Sequence, residues 1–158
     1  MDIFRRLRAT WNPDMYHGWG RTRQYFEGWY FKLVNAGETA AYAFIPGISI
    51  AENGESHAFI QVMDGMDHSA TYHRFESGQF QPSSRYFELR LGVNHFSGQK
   101  MIIDLPGIRG AIQFQNTTPW PKMFGAPGIM GWYSFVPFME CFHGVVSLHH
   151  GLEGTLQM

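Results

Sequence analysis

The stretch Tyr25-Phe26-Glu27-Gly28-Trp29-Tyr30-Phe31-Lys32-Leu33-Val34 decides the fold class. Side chains of a β-strand alternate between its two faces. Tyr25, Glu27, Trp29, Phe31 and Leu33 therefore share one face, and Phe26, Gly28, Tyr30, Lys32 and Val34 share the other. The first face is ring-rich and apolar, and Glu27 is its only polar interruption. A carboxyl among Trp and Phe rings loses hydration, which favours the protonated acid and makes it a candidate general acid. It can equally be a structural carboxylate, paired with Arg21 or Arg23 or bonded to turn backbone, because buried acids are usually partnered.

Working outward, short aromatic and β-branched runs alternate with Gly, Pro, Asn and Ser, and helical periodicity is nearly absent. The pattern predicts strands at Tyr25–Val34, Ala40–Ile50, His57–Met63, Ala70–Phe75, Tyr86–Leu91 and Val93–Phe96. Further strands are predicted at Lys100–Asp104, Ile108–Gln115, Gly131–Phe135 and Cys141–His149, with Leu152–Gln157 completing a hairpin. Asn35-Ala36-Gly37, Asn53-Gly54, Ser97-Gly98 and Pro106-Gly107 read as turns. The expectation is a single all-β domain, either a lipocalin-like antiparallel β-barrel or a strongly curved sheet. An irregular excursion over residues 116–131, rich in Pro and Gly, reads as a lid, a plug or a plain crossover loop.

The 158 residues suit one core. Twelve basic against thirteen acidic residues give no electrostatic reason to expect nucleic acid. An aromatic share of 16% fits either a core filled with rings or an apolar cavity lined by them. The lone Cys141 excludes an internal disulfide and a multi-cysteine zinc site, and it suits a reducing, cytoplasmic setting. No run is long and apolar enough to span a bilayer. Ile3, Phe4 and Leu7 beside Arg5, Arg6 and Arg8 could touch an anionic membrane, although a solvated N-terminal arm is the plainer expectation.

Eight histidines are scattered without ligand spacing, so no metal is expected. There is no Gly-x-Ser-x-Gly elbow and no phosphate-binding glycine loop, which argues against an acyl-transfer nucleophile and a nucleotide cofactor. Glu140, in Val136-Pro137-Phe138-Met139-Glu140-Cys141-Phe142, repeats the character of Glu27. It too can be a proton donor or a solvent-facing carboxylate.

The heptapeptide Phe26–Lys32 resembles the signature of the tocopherol cyclase family. Pro13-Asp14-Met15-Tyr16-His17-Gly18 resembles that family's opening, and Arg21 to Tyr25 its basic run. Gly92, Asn94, Phe96 and Ser97 resemble a family strand. Pro119-Trp120-Pro121 and Pro127 to Tyr133 resemble its central excursion, and Phe138 to Gly144 follow in the expected place. The resemblance implies a lipocalin-like fold related to the two-barrel carotenoid hydratase group. It also implies closure of a prenylated hydroquinone to a chromanol without any cofactor. Under that reading Glu27 or Glu140 protonates the prenyl double bond and His17 or His143 orients the phenol. Trp29, Tyr30, Phe31, Trp132, Tyr133 and Phe142 line the substrate site. A non-catalytic lipid- or isoprenoid-binding protein of the same fold is the alternative. Family members are typically longer, so the resemblance covers their N-terminal half. The strand expected at the end of this chain would leave an open edge for a second copy.

Overall fold

The alternation expected over Tyr25–Val34 holds at every position of the computed structural model, which describes residues 2–136 and 143–158. The odd-numbered residues are buried or half-buried, and the even-numbered ones are exposed. The run is two strands, β1 (Tyr25–Gly28) and β2 (Phe31–Val34), both antiparallel to β3 (Ala41–Ile50). The register is one register throughout: Tyr25 faces Ile50, Gly28 faces Gly47, Phe31 faces Phe44 and Val34 faces Ala41. The break falls opposite Pro46, which has no N–H to give the ladder. Trp29 N–H still donates to the Pro46 carbonyl at 3.0 Å, so side-chain parity survives the break.

β4 (Ser56–Asp64) and β5 (Ser69–Glu76) complete the first sheet. The second sheet runs β6 (Phe80–Pro82), β7 (Glu88–Leu91), β8 (Asn94–Ser97), β9 (Lys100–Leu105), β10 (Ile108–Thr118) and β11 (His149–Gln157), each antiparallel to its neighbour. The fold is all-β, and the two sheets do not close into a barrel. Of the two forms expected, the open sheet is therefore the one adopted.

Rings from the first strands fill the space between the sheets. Trp29 stacks on Phe87 at 5.5 Å, and Phe31 meets Phe96 at 5.5 Å and Phe114 at 5.8 Å. β9 alternates strictly, burying Met101, Ile103 and Leu105. Each such side chain contributes roughly 1.5–3 kcal/mol by leaving water. The ring-rich face is thus largely core packing, and Trp29 and Phe31 belong to that core.

Several expectations are corrected. The N-terminal arm is a helix, α1 (Asp2–Trp11), not a solvated tail. Its last carbonyls find donors that sequence periodicity does not reveal: Asn12 Nδ2 donates to Arg8 O at 2.8 Å, and His17 Nε2 lies 3.1 Å from Ala9 O. Gly131–Phe135 is a 3-10 turn rather than a strand, held by i to i+3 bonds such as Gly131 N–H to Gly128 O at 2.9 Å. Of the strand expected at Cys141–His149, residues 141 and 142 lie outside the described residues. Residues 143–148 are irregular, and β11 starts at His149. β10 extends to Thr118 because β11 pairs along it, across an irregularity between Gln115 and Thr118. The short β6 was not expected. The β2–β3 turn takes its left-handed residue at Glu38 (φ +54°) rather than at Gly37, with the Asn35 side chain accepting from Thr39 and Ala40 N–H. Among the described residues no helix is long and apolar enough to cross a membrane.

Candidate functional site

β1 carries Tyr25 and Glu27 on the face that the 12–19 segment covers. That segment is pinned from both sides. Trp29 Nε1 donates to Asp14 O at 2.8 Å, and Met15 is fully buried. Gly18 is required there, because a Cβ at that position would run into the rings of Tyr16 and Tyr25. The chain can therefore fold tightly enough to bring His17 onto Glu27.

Glu27 meets three donors. Its Oε2 accepts from His17 backbone N–H at 2.9 Å and from Tyr25 OH at 2.6 Å, and its Oε1 lies 2.9 Å from His17 Nδ1. The expected partners Arg21 and Arg23 are not the ones used; the Arg21 guanidinium instead stands 5.8 Å over the Tyr25 ring. The His17 ring is held at both nitrogens. Ala9 O can only accept, so Nε2 carries a hydrogen. Nδ1 then faces a carboxyl oxygen, and one proton lies between Nδ1 and Oε1 whichever partner formally owns it.

This charge marks its neighbours. Burial, reinforced by the charge of Glu27, pushes the Tyr16 phenol up to about 12. Burial, then the same charge and the hydrogen bond to Glu27, holds the Tyr25 phenol far above its ordinary value. Tyr16 also touches Trp19 edge-on at 5.1 Å and Phe80 at 5.2 Å, so its phenol is walled by rings. Side-chain exposure is 15% for Glu27 and 32% for His17, so the pair meets solvent through the imidazole.

The remaining expected site residues are dispersed. Tyr30, in the break between β1 and β2, is of opposite parity to Glu27 and 63% exposed, whereas Glu27 is half-buried. Trp132 and Tyr133 stack on each other at 4.0 Å on the exposed 3-10 turn. His143 backbone N–H reaches Met130 Sδ at 3.1 Å. Glu140 and Phe142 lie outside the described residues. The sequence reading brought His17 and Glu27 into one list without placing them in contact, and it missed Tyr25 and Tyr16 as their neighbours. The signal available for Tyr25 was its parity, two residues before Glu27 on the same face.

A second polar group was not foreseen. On the outer face of the second sheet an open cleft of about 980 Å³ runs past Tyr86, Glu88, Arg90, His95 and Lys100. Glu88 Oε1 lies 2.9 Å from His95 Nε2 and 3.8 Å from Arg90 Nε. Hydrogen bonds from His95 and then Tyr86 hold the Glu88 carboxyl below its usual range. Cross-strand charge pairing on a solvated sheet face accounts for this cluster. Among the described residues no three His, Cys, Asp or Glu side chains gather in a metal-holding arrangement. Comparison with family models, with curated proteins and with solved structures finds no match.

Proposed function

We propose that this chain is a tocopherol cyclase-like protein that closes a prenylated hydroquinone to a chromanol, with the proton shared by His17 and Glu27 as the acid. The observation that carries the reading is the 2.9 Å contact between His17 Nδ1 and Glu27 Oε1, which needs one proton between them. In the reaction the proton passes to the less substituted carbon of the prenyl double bond. The tertiary cation that results is captured by the neighbouring phenol oxygen, whose own proton returns to the pair. Atoms and charge balance, no oxidant is needed, and the product is an isomer of the substrate. The Tyr25 and Trp19 rings already carry cations, the Arg21 guanidinium at 5.8 Å and the Arg5 guanidinium at 4.7 Å, so any further stabilisation of the substrate cation falls to other groups. The partly exposed imidazole is the side from which an alkene can approach.

A second reading is favoured by the same geometry seen differently. Three donors already saturate the Glu27 carboxylate from within the chain, which is what a structural latch requires. On that reading the protein binds a prenylated lipid without changing it.

The test is incubation with a prenylated benzoquinol and detection of chromanol by mass. Turnover that falls about a hundredfold or more in Glu27→Gln, with the fold intact by circular dichroism, supports the cyclase. Binding without turnover in the parent protein sinks the cyclase and leaves the lipid-binding reading.

A further inference from the structure

α1, the turn at residues 83–86 and the excursion at 119–136 lie side by side. Arg8 reaches Ser84 O at 3.5 Å, and Lys122 Nζ donates to Asn12 Oδ1 at 2.9 Å. Trp11 meets Phe135 edge-on at 5.4 Å. Phe4, Arg5, Arg8, Ser84 and Arg85 line one shallow depression of about 210 Å³.

Two properties of this face stand out together. The first is apolar exposure. Phe124 is fully exposed and Phe4 is 77% exposed, with Trp11, Met123, Trp132 and Phe135 also facing water. Large exposed apolar side chains gathered on adjoining segments point to an interaction site rather than ordinary surface. The second is charge. Among the described side chains of the three segments, Arg5, Arg8, Arg85 and Lys122 are basic and none is acidic, a charge of +4 in a chain whose total is -1.

We infer that this face docks on the surface of a bilayer containing anionic phospholipids. Rings that bury partway at headgroup depth, beside long cationic side chains whose heads stay in water, are the combination that an interfacial layer accepts. The basic excess matches an anionic leaflet and predicts discrimination against a neutral one. α1 has ten residues, too few to span a bilayer but enough to lie along its surface. The inference does not depend on the chemistry assigned to His17 and Glu27; a catalytically silent protein would dock in the same way.

The experiment is co-sedimentation of the full chain with vesicles of phosphatidylcholine alone, and of phosphatidylcholine mixed with phosphatidylglycerol. Binding is expected to be about tenfold or more tighter on the mixed vesicles, and to weaken as salt rises. Arg85→Gln should lower it about fivefold. Phe124→Ser should lower it about tenfold. Phe124 contacts solvent alone, so the near-ultraviolet circular dichroism of that variant should match the parent. Three results would overturn the inference: no sedimentation with either vesicle, equal sedimentation with both, or a dimer in light scattering that Phe124→Ser abolishes while vesicles are ignored. The last would assign the face to a second copy of the chain.

Discussion

Raising the pH above 10 should weaken this fold through two tyrosines that cannot ionise where they sit. Tyr16 is buried against Trp19 and Phe80, and its phenol is pushed from 10.0 up to about 12 by burial and then by the charge of Glu27. Tyr25 is raised in the same direction, by burial first and by Glu27 second. In the unfolded chain both ionise near 10, whereas the folded chain keeps their protons. The stability they contribute is therefore complete below pH 10 and is lost as the pH climbs towards the folded values. For Tyr16 alone, the rise corresponds to about 3 kcal/mol, and Tyr25 acts in the same direction. Against a typical net stability of about 5–15 kcal/mol, the loss is large. The assay is urea unfolding at pH values on either side of 10, with phenolate absorbance and circular dichroism followed in parallel. Tyr16 and Tyr25, of the seven tyrosines, should be the last to ionise, and they should stay protonated until the fold gives way. Tyr25→Phe should cost about 1–2 kcal/mol at neutral pH through the lost bond to Glu27, and it should flatten the alkaline slope. Seven phenols ionising together near 10, with the circular dichroism unchanged, would refute the reasoning.

Two further outcomes follow from the same geometry. A Cβ at Gly47 would stand 2.5 Å from both the Glu27 carbonyl oxygen and the Phe59 ring, so Gly47→Ala should destabilise by about 1–3 kcal/mol; an unchanged urea midpoint would remove that close contact. The Glu88 carboxyl is held below its usual range, chiefly by the hydrogen bond from His95, so its contribution is present above the unfolded value and is lost as pH falls through the folded one. Glu88→Gln should therefore flatten the acid limb of a plot of urea midpoint against pH, and an identical acid limb in the variant would sink the assignment.

The fold class was legible because period-two alternation is a local signal. Tyr25–Val34 declared its buried face residue by residue, and the pattern survived a break that falls opposite Pro46, which has no N–H to give. What was illegible depended on distant partners. α1 closes on donors from Asn12, His17 and Lys122, the last more than a hundred positions away, and nothing within residues 2–11 announces them. Gly131–Phe135 has the residues of a strand but pairs with no strand among the described residues, and i to i+3 bonds hold it instead. At the site, parity placed Glu27 inward correctly. The choice of His17 and Tyr25 over Arg21 and Arg23 rested on the tight path through Gly18, which a sequence does not display.

The latch and the acid make different demands on the same proton, and Glu27→Gln separates them. The amide keeps one oxygen to accept from His17 N–H and Tyr25 OH, and its NH₂ can donate to Nδ1. The ring then needs only the hydrogen on Nε2, which still serves Ala9 O. The geometry should survive at a cost of about 1–2 kcal/mol, while the shared proton disappears. Glu27→Ala instead strands the His17 N–H, its ring and the Tyr25 hydroxyl. It should cost roughly twice as much, tempered by the partial exposure of His17. The direct reading is proton magnetic resonance of the imidazole. A far-downfield signal bridging Nδ1 and Oε1 should be present in the parent protein and absent in Glu27→Gln. Its persistence in the variant would show that the proton never belonged to the pair, and the acid would then have to be sought elsewhere in the chain. Its loss, together with near-parental stability, would make Glu27→Gln the variant in which latch and acid are cleanly divided.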